Sequence, residues 1–296
     1  MRHRVPWWFR IFLKIGLSRI PIAYGFWKRL GLFEHGDMND PMRAFDTFVE
    51  HASTAGMLEI SPRPHLKAGR NGFSVLEIGP GDSLFTGVVA SCMGAEKSWL
   101  VDAGDFASRQ PDAYDHLVRF LLSQGYEFSE DGRSPDALLR DCGVVYLTDG
   151  VESLRQIPTA SVGFCFSNAV LEHVPKHDFV QLSQQLRRVL RPDGIGVHRV
   201  DLKDHLGGQL NNLRFSESIW EGALFRNAGF YTNRIRFSEM VDIFRLAGFE
   251  CEMPRIVRWP ELPTPRSRLA PPFRSLSDDE LCVSGFDLVL RPGGAS

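Results

Sequence analysis

The 296-residue chain contains no run of 18 or more uncharged apolar residues, which excludes a membrane-spanning helix on sequence grounds. It has little cysteine: Cys92, Cys142, Cys165, Cys251 and Cys282 are odd in number, scattered, and include no C-x-x-C pair. That excludes a disulfide frame or a thiolate zinc site and fits reduced thiols in the cytoplasm. Neither charge sign dominates, with 34 basic residues against 36 acidic ones, so a general nucleic-acid binder is not expected. There is no internal repeat and no low-complexity tract. What is present, 43% apolar and 24% charged residues, is the composition of an ordinary folded domain.

The near-neutral balance conceals an uneven distribution. Residues 1–33 carry Arg2, Arg4, Arg10, Lys14, Arg19, Lys28 and Arg29, and the first acid is Glu34. The same segment carries Trp7, Trp8, Phe9, Phe12, Tyr24, Phe26, Trp27 and Phe33. Arg10 and Lys14 interrupt every apolar core, and no small-residue cleavage site follows, so a secretory signal is rejected. A helix lying on a surface remains, the surface being either the chain's own domain or an anionic membrane.

From residue 73 short apolar runs alternate with amphipathic helices. Strands are expected at Phe73–Ile78, Trp99–Val101, Val144–Leu147, Val162–Phe166, Ile195–Leu202, Phe249–Val257 and Leu281–Leu290. Helices are expected at Leu84–Met93, Asp178–Leu190 and Ser238–Ala247; in the second of these Leu182, Leu186, Val189 and Leu190 share a face. Apolar strands alternating with helices imply a doubly wound, mostly parallel sheet, with ligands at the carboxyl ends of the strands. Segments near 103–140, 203–234 and 259–278 interrupt the alternation and read as substrate-side inserts. The last contains Pro260, Pro263, Pro265, Pro271 and Pro272 and reads as an extended surface loop.

The strongest local signal is Glu77-Ile78-Gly79-Pro80-Gly81-Asp82-Ser83, a glycine turn between a strand and a helix. A dinucleotide loop wants a third glycine where Leu84 stands and tolerates poorly the acids Glu77 and Asp82 beside a pyrophosphate, which leaves an oxidoreductase as a distant alternative. A cofactor with a cationic end suits these acids better. Downstream stand Asp102, then Thr148-Asp149-Gly150-Val151, then Phe166-Ser167-Asn168-Ala169-Val170-Leu171-Glu172-His173-Val174, then Arg188-Val189-Leu190-Arg191-Pro192-Asp193-Gly194.

In order and spacing over roughly residues 73–201, these blocks resemble the class I S-adenosylmethionine-dependent methyltransferases, in their small-molecule subgroup. Ser83 departs from the family's third glycine. The resemblance implies a Rossmann-like fold with a seven-stranded sheet closed by an antiparallel strand at Phe286–Leu290. It implies S-adenosyl-L-methionine as cofactor: Gly79, Pro80, Gly81, Asp82 and Ser83 around its methionine part, Glu77 facing its ammonium, Asp102 with Ala103 at the ribose, Asp149, Gly150 and Val151 at the adenine, and Asn168 beside it. Read without the resemblance, Asp149-Gly150 is equally a plain turn and Asp102 a solvated loop acid.

Methyl transfer from a sulfonium is an in-line displacement that needs a base only when the acceptor must lose a proton. His173, His198, Asp201 and His205 follow the fourth and fifth strands and are the candidates. A His–Asp pair suits deprotonation of a hydroxyl; Asp201, Asp204, His198 and His205 are also metal-type donors; a polar loop uses none of them. No metal is assigned. Asn211, Asn212, Arg214, Phe215 and Phe230 to Arg234 suit either a polar pocket or a packed lid. The expected organisation is a basic, aromatic helical extension over 1–50 and a methyltransferase domain over 51–296. The expected function is methyl transfer to a small-molecule or glycan- or lipid-linked acceptor, on a hydroxyl oxygen, in the cytoplasm or at the inner face of a membrane that residues 1–33 contact. The rival is a catalytically silent cofactor-binding scaffold.

Overall fold

The computed structural model describes residues 8, 9, 11, 38–67, 73–127 and 134–294. Of the expected basic extension over residues 1–33, all but Trp8, Phe9 and Ile11 lie outside the described residues.

Helix α1 (Pro41–Thr54) starts where Asp40 accepts the Met42 N–H at 2.9 Å, with Pro41 in the first turn. Its buried stripe is Ala44, Phe45, Phe48, His51 and Ala52. Phe48 sits edge-on to Phe164 and Phe166, at 6.0 and 5.7 Å. The helix therefore belongs to the domain core and runs straight across residue 50, where the extension was expected to end.

A two-strand ribbon follows, β1 (Leu58–Glu59) against β2 (His65–Leu66). Next come β3 (Ser74–Ile78), α2 (Phe85–Cys92), β4 (Lys97–Val101), α3 (Pro111–Ser123), α4 (Pro135–Asp141), β5 (Val144–Leu147), β6 (Val162–Asn168), α5 (Lys176–Val189), β7 (Leu190–Asp201), α6 (Phe237–Leu246), β8 (Phe249–Arg258) and β9 (Val283–Pro292). The main sheet has the order β5-β4-β3-β6-β7-β9-β8. The first five strands in that order are parallel neighbours, and β9 runs antiparallel to both β7 and β8. All five residues of β3 are buried because helices cover both faces. One apolar layer joins α1, α2 and α3 to Val75, Phe164, Phe166 and Val197. The other joins α5 and α6 to Leu76, Cys165, Val200 and Leu288.

The segment near 103–140 holds a crossover helix. Parallel β4 and β5 need a crossover, and α3 supplies it, burying Tyr114, Leu117 and Leu121. The other two excursions do leave the alternation. Residues 203–234 build a separate cluster of Leu206, Trp220, Ala228, Phe230 and Tyr231, on which Ile11 is seated. The proline-rich segment is not an extended loop: Leu262, Leu269, Phe273 and Leu276 fold onto Leu210 and Leu213. All five cysteines are free thiols. No helix among the described residues is long and apolar enough to cross a membrane.

Candidate active site

The chain leaves the central strand β3 toward β4 and β5, then returns to β6 on its other side. The carboxyl ends of β3 and β6 thus form the switch point, where crevices open in such sheets. The turn after β3 needs glycine twice. Gly79 and Gly81 have φ of +72° and +70°. A Cβ at residue 79 would lie 2.5 Å from the Val170 side chain. Val170 is brought there by Ala169, itself left-handed at φ +55°, whose N–H donates to the Arg199 carbonyl at 2.8 Å. Gly79 is therefore required both by its left-handed backbone and by the close approach of Val170.

Asp102 ties the loop ends together. Its carboxylate accepts from the Gly81 N–H at 3.0 Å and the Ala103 N–H at 2.7 Å, and its carbonyl accepts from the Gly150 N–H at 2.8 Å. Gly150 sits beside Ala103, and Asp149 is exposed next to it with its N–H donated to Ser153 Oγ at 2.9 Å. Val151 and Asn168 are half-buried at the same level.

Glu77 lies buried beneath the turn and accepts the Thr86 hydroxyl. Burial, reinforced by the Asp102 charge, pushes its carboxyl up to about 8. Asp82 accepts the Met38 N–H at 3.1 Å and so fastens the chain entering α1, while Ser83 Oγ accepts the Phe85 N–H at the start of α2. Pro80 is buried between them. These three residues shape the turn by holding its neighbours.

On the acceptor side the structure brings His173 and His205 together, their rings 4.8 Å apart and tilted by 44°. Both are exposed. His173 Nδ1 lies 2.9 Å from the Tyr231 carbonyl. A carbonyl only accepts, so the neutral ring carries its proton on Nδ1 and presents Nε2 as the basic nitrogen. Asn233 holds this arrangement: its Nδ2 donates to the carbonyls of Leu171 and Val174, and its N–H donates to that of Glu172.

Two expectations are corrected here. His198 belongs to the core: its side chain is fully buried, its Nδ1 lies 2.8 Å from Ser167 Oγ, and its ring stacks on Phe244. The pleat turns it onto the α6 face of the sheet, away from the strand ends. Asp204 is buried too and organises its own loop, accepting the N–H groups of Leu206, Gly207, Gln209 and Asn211. Asp201 is engaged by Lys203, through the N–H at 2.9 Å and Nζ at 3.2 Å. Among the described residues no three His, Cys, Asp or Glu side chains gather as a metal would need. The insert is a packed lid: Asn212 donates to Thr232, Trp220 Nε1 donates to the Thr232 carbonyl, and Arg234 lies over the rings of Trp220 and Phe273.

Glu172 has a place in the site that no sequence signal marked beyond its position in Leu-Glu-His-Val. It is buried, Oε1 accepts the Asp201 N–H at 3.3 Å, and Oε2 has no hydrogen-bond partner among the described residues. Burial pushes its carboxyl up to about 8, so it is mostly protonated at neutral pH.

A family model described as a methyltransferase domain matches residues 124–197, which hold β5, β6 and α5. No curated protein matches the chain. Among solved structures, the chain is similar to the YcgJ protein of Bacillus subtilis, with 15% identity, a TM-score of 0.45, and coverage of 86% of this chain and 100% of that one. It is similar to phosphoethanolamine N-methyltransferase 2 of Haemonchus contortus, with 15% identity and a TM-score of 0.43, covering 84% of this chain and 53% of that one. It is also similar to an arsenic(III) S-adenosylmethionine methyltransferase of Chlamydomonas reinhardtii, with 15% identity and a TM-score of 0.44, covering 85% of this chain and 74% of that one. The chain spans about half the length of the Haemonchus protein. Residues 124–197 thus match a methyltransferase domain, and they lie in a Rossmann-like sheet whose last strand runs antiparallel at the expected place, with a glycine turn over buried Glu77 at the switch point.

Proposed function

We propose that the enzyme transfers the methyl group to a hydroxyl oxygen, with His173 as general base and His205 beside it. The observation that carries this reading is the His173 Nδ1 contact with the Tyr231 carbonyl, which fixes the tautomer with Nε2 as the basic nitrogen. When bound, S-adenosylmethionine supplies an electrophilic methyl on its sulfonium. His173 Nε2 would take the proton of the acceptor hydroxyl, balancing the methyl group that the cofactor would supply. Protonated Glu172 adds no negative charge beside the reacting oxygen. Gly79 and Gly81 cradle the methionine part, Asp102 takes the ribose hydroxyls, and Asp149 to Val151 flank the adenine. The acceptor is a small molecule or a glycan- or lipid-linked group, met in the cytoplasm or at the inner face of a membrane. The free cysteines and the basic first 33 residues support that placement.

Cofactor placement has a direct test. S-adenosylhomocysteine should raise the melting temperature by mass action, and Asp102→Ala should weaken its binding by about 1.5–3 kcal/mol, the usual worth of hydrogen bonds to a charged group. Unchanged affinity by calorimetry would show that Asp102 does not hold the ribose.

Glu77 gives a second expectation. An ammonium placed near it favours its ionised form, so binding should expel a proton at neutral pH from a carboxyl raised to about 8. Affinity for S-adenosylhomocysteine should therefore rise with pH up to about 8. The calorimetric heat should vary with the ionisation heat of the buffer, and Glu77→Gln should remove that variation. A buffer-independent heat in the wild type would place the ammonium elsewhere.

A further inference from the structure

We propose that the insert around residues 215–226, with Trp8 and Phe9, is a docking surface for a bilayer containing anionic lipid. The proposal rests on placing the acceptor beside His173, as above. Ile11 is buried against Leu206, Trp220, Ala228, Phe230 and Tyr231, and Phe215 and Phe225 pack on the same cluster. The neighbours of these buried anchors point outward. Trp8 is 51% exposed and Phe9 47%, next to Ile11; Ile219 is 51% exposed, next to Trp220; Leu224 is 44% exposed, next to Phe225. One aromatic cluster thus carries four large apolar side chains on its outside, from two parts of the chain far apart in sequence. Scattered single apolar residues need no account, but several hung from one satellite cluster do.

Charge identifies the occupant. The first 33 residues hold seven basic side chains and no acid, and the insert adds exposed Arg226. The insert's acids are already engaged: Glu217 pairs with Arg234 and Lys176, and Glu221 accepts the Tyr231 hydroxyl at 2.9 Å. Tryptophan and aliphatic side chains mixed with cations match a headgroup boundary, where each basic group near anionic lipid adds roughly five-fold in affinity. The surface also borders the chemistry. Leu206 of the cluster follows His205 directly, and the carbonyl of Tyr231, another member, fixes the His173 ring. A lipid-linked acceptor lying at the headgroup level would present its hydroxyl to His173 without leaving the membrane.

Flotation of the full-length protein tests this with vesicles of phosphatidylcholine alone or mixed with phosphatidylglycerol. Flotation is expected only with the mixed vesicles. The double variant Ile219→Ser, Leu224→Ser should bind them about ten-fold or more weakly, and Ile219→Trp should bind them several-fold more tightly. The melting shift with S-adenosylhomocysteine, read in vesicle-free buffer, reports folding of each variant and tests the cofactor reading independently. No flotation of the wild type, flotation of a folded double variant equal to wild type, or no gain from Ile219→Trp would overturn the proposal. Concentration-dependent self-association in vesicle-free buffer, abolished by the same double variant, would assign the patch to a second copy of the chain and overturn it too.

Discussion

Replacing His173 with alanine lowers the rate of methyl transfer by about 10²–10⁴-fold while S-adenosylhomocysteine binds as before. That loss corresponds to about 3–5 kcal/mol of barrier, the contribution of moving a proton from the acceptor during the displacement. Three observations place the effect on His173. Its ring is exposed after β6, its tautomer is set by the Tyr231 carbonyl at 2.9 Å, and its turn is clamped by Asn233. His173→Asn keeps an amide to donate to that carbonyl and lacks a basic nitrogen, so it should fold normally and remain slow. His205→Ala should cost less, because His205 acts through its contact with the His173 ring. The assay is transfer of labelled methyl into separated lipid, polysaccharide and small-metabolite fractions. Full activity in His173→Ala and His205→Ala would mean that positioning alone suffices, and the assignment to oxygen would lose its support.

The parallel part of the sheet was legible because its strands are apolar on both faces and are punctuated by Gly79, Asp102, Asp149 and Gly194. Each expected strand overlaps a strand of the structure, and α2, α5 and α6 lie where the helical periodicity put them. The α3 crossover was missed because Pro111, Asp112 and Asp115 make its first turn look like a loop; the buried residues Tyr114, Leu117 and Leu121 are spaced three and four apart. The expected boundary at 50 falls within α1. The stripe of Phe45, Phe48 and Ala52 is recognisable only once Phe164 and Phe166 are seen opposite it.

Within the site, side-chain direction was the weak point. Histidines at 198 and 205 look alike in sequence, yet one lies inside a strand and the other beyond it. Strand pairing of His198 with Ser167 and Leu288 decides its burial, and no local pattern reports that pairing. Asn211, Asn212, Asn233 and Arg234 looked equally fit for a polar ligand or a lid. Their partners turned out to be Asp204, Thr232, main-chain carbonyls and aromatic rings, all within the protein.

The position of α1 over the sheet has an electrostatic cause as well as an apolar one. Arg199 of β7 donates to Glu50 of α1 at 2.7 and 2.8 Å and to Asp287 of β9 at 2.9 Å, while Arg255 of β8 donates to Asp287 at 3.0 Å. Hydrogen bonds from Arg199 outweigh burial and hold the Glu50 carboxyl below its usual range. At Asp287 the burial effect is the largest single influence and acts upward, but Arg199 and Arg255 together overcome it. Each carboxylate therefore contributes stability that is present above its unfolded pKa and lost as pH falls through its folded one. The network links α1 to three strands, so acid loosens the helix that carries His51.

As pH falls from about 7 to about 4, His198 by itself should remove about 3 kcal/mol of stability. Its ring is fully buried, Nε2 has no hydrogen-bond partner among the described residues, and Gly196 supplies the space that the ring fills, since a Cβ there would lie 3.1 Å from Nε2. A proton added at that nitrogen would place an unsolvated charge against Phe244. Burial, with a smaller effect from the charge of His51, therefore holds the imidazole down to about 3 from the usual 6.5. The folded pKa is depressed, so the unfolded chain takes the proton first. Stability is complete above 6.5 and is lost as pH falls toward 3, at about 1.4 kcal/mol per pH unit. His51, lowered mainly by burial, acts in the same direction. Glu77 and Glu172 act in the opposite one: both are raised to about 8, so their contribution is full below 4.5 and is lost as pH rises through 8. The stability profile should therefore have its maximum in weakly acid solution and fall on both sides. His198→Gln keeps an amide to pair with the Ser167 hydroxyl and removes the titration. Urea unfolding near pH 7 and near pH 5 should show the stability advantage of wild type over the variant shrinking by about 2 kcal/mol at the lower pH, the part of the dependence that belongs to His198. An unchanged slope in His198→Gln would mean that the acid lability originates in the Glu50, Arg199 and Asp287 network, and the role given to His198 would be wrong.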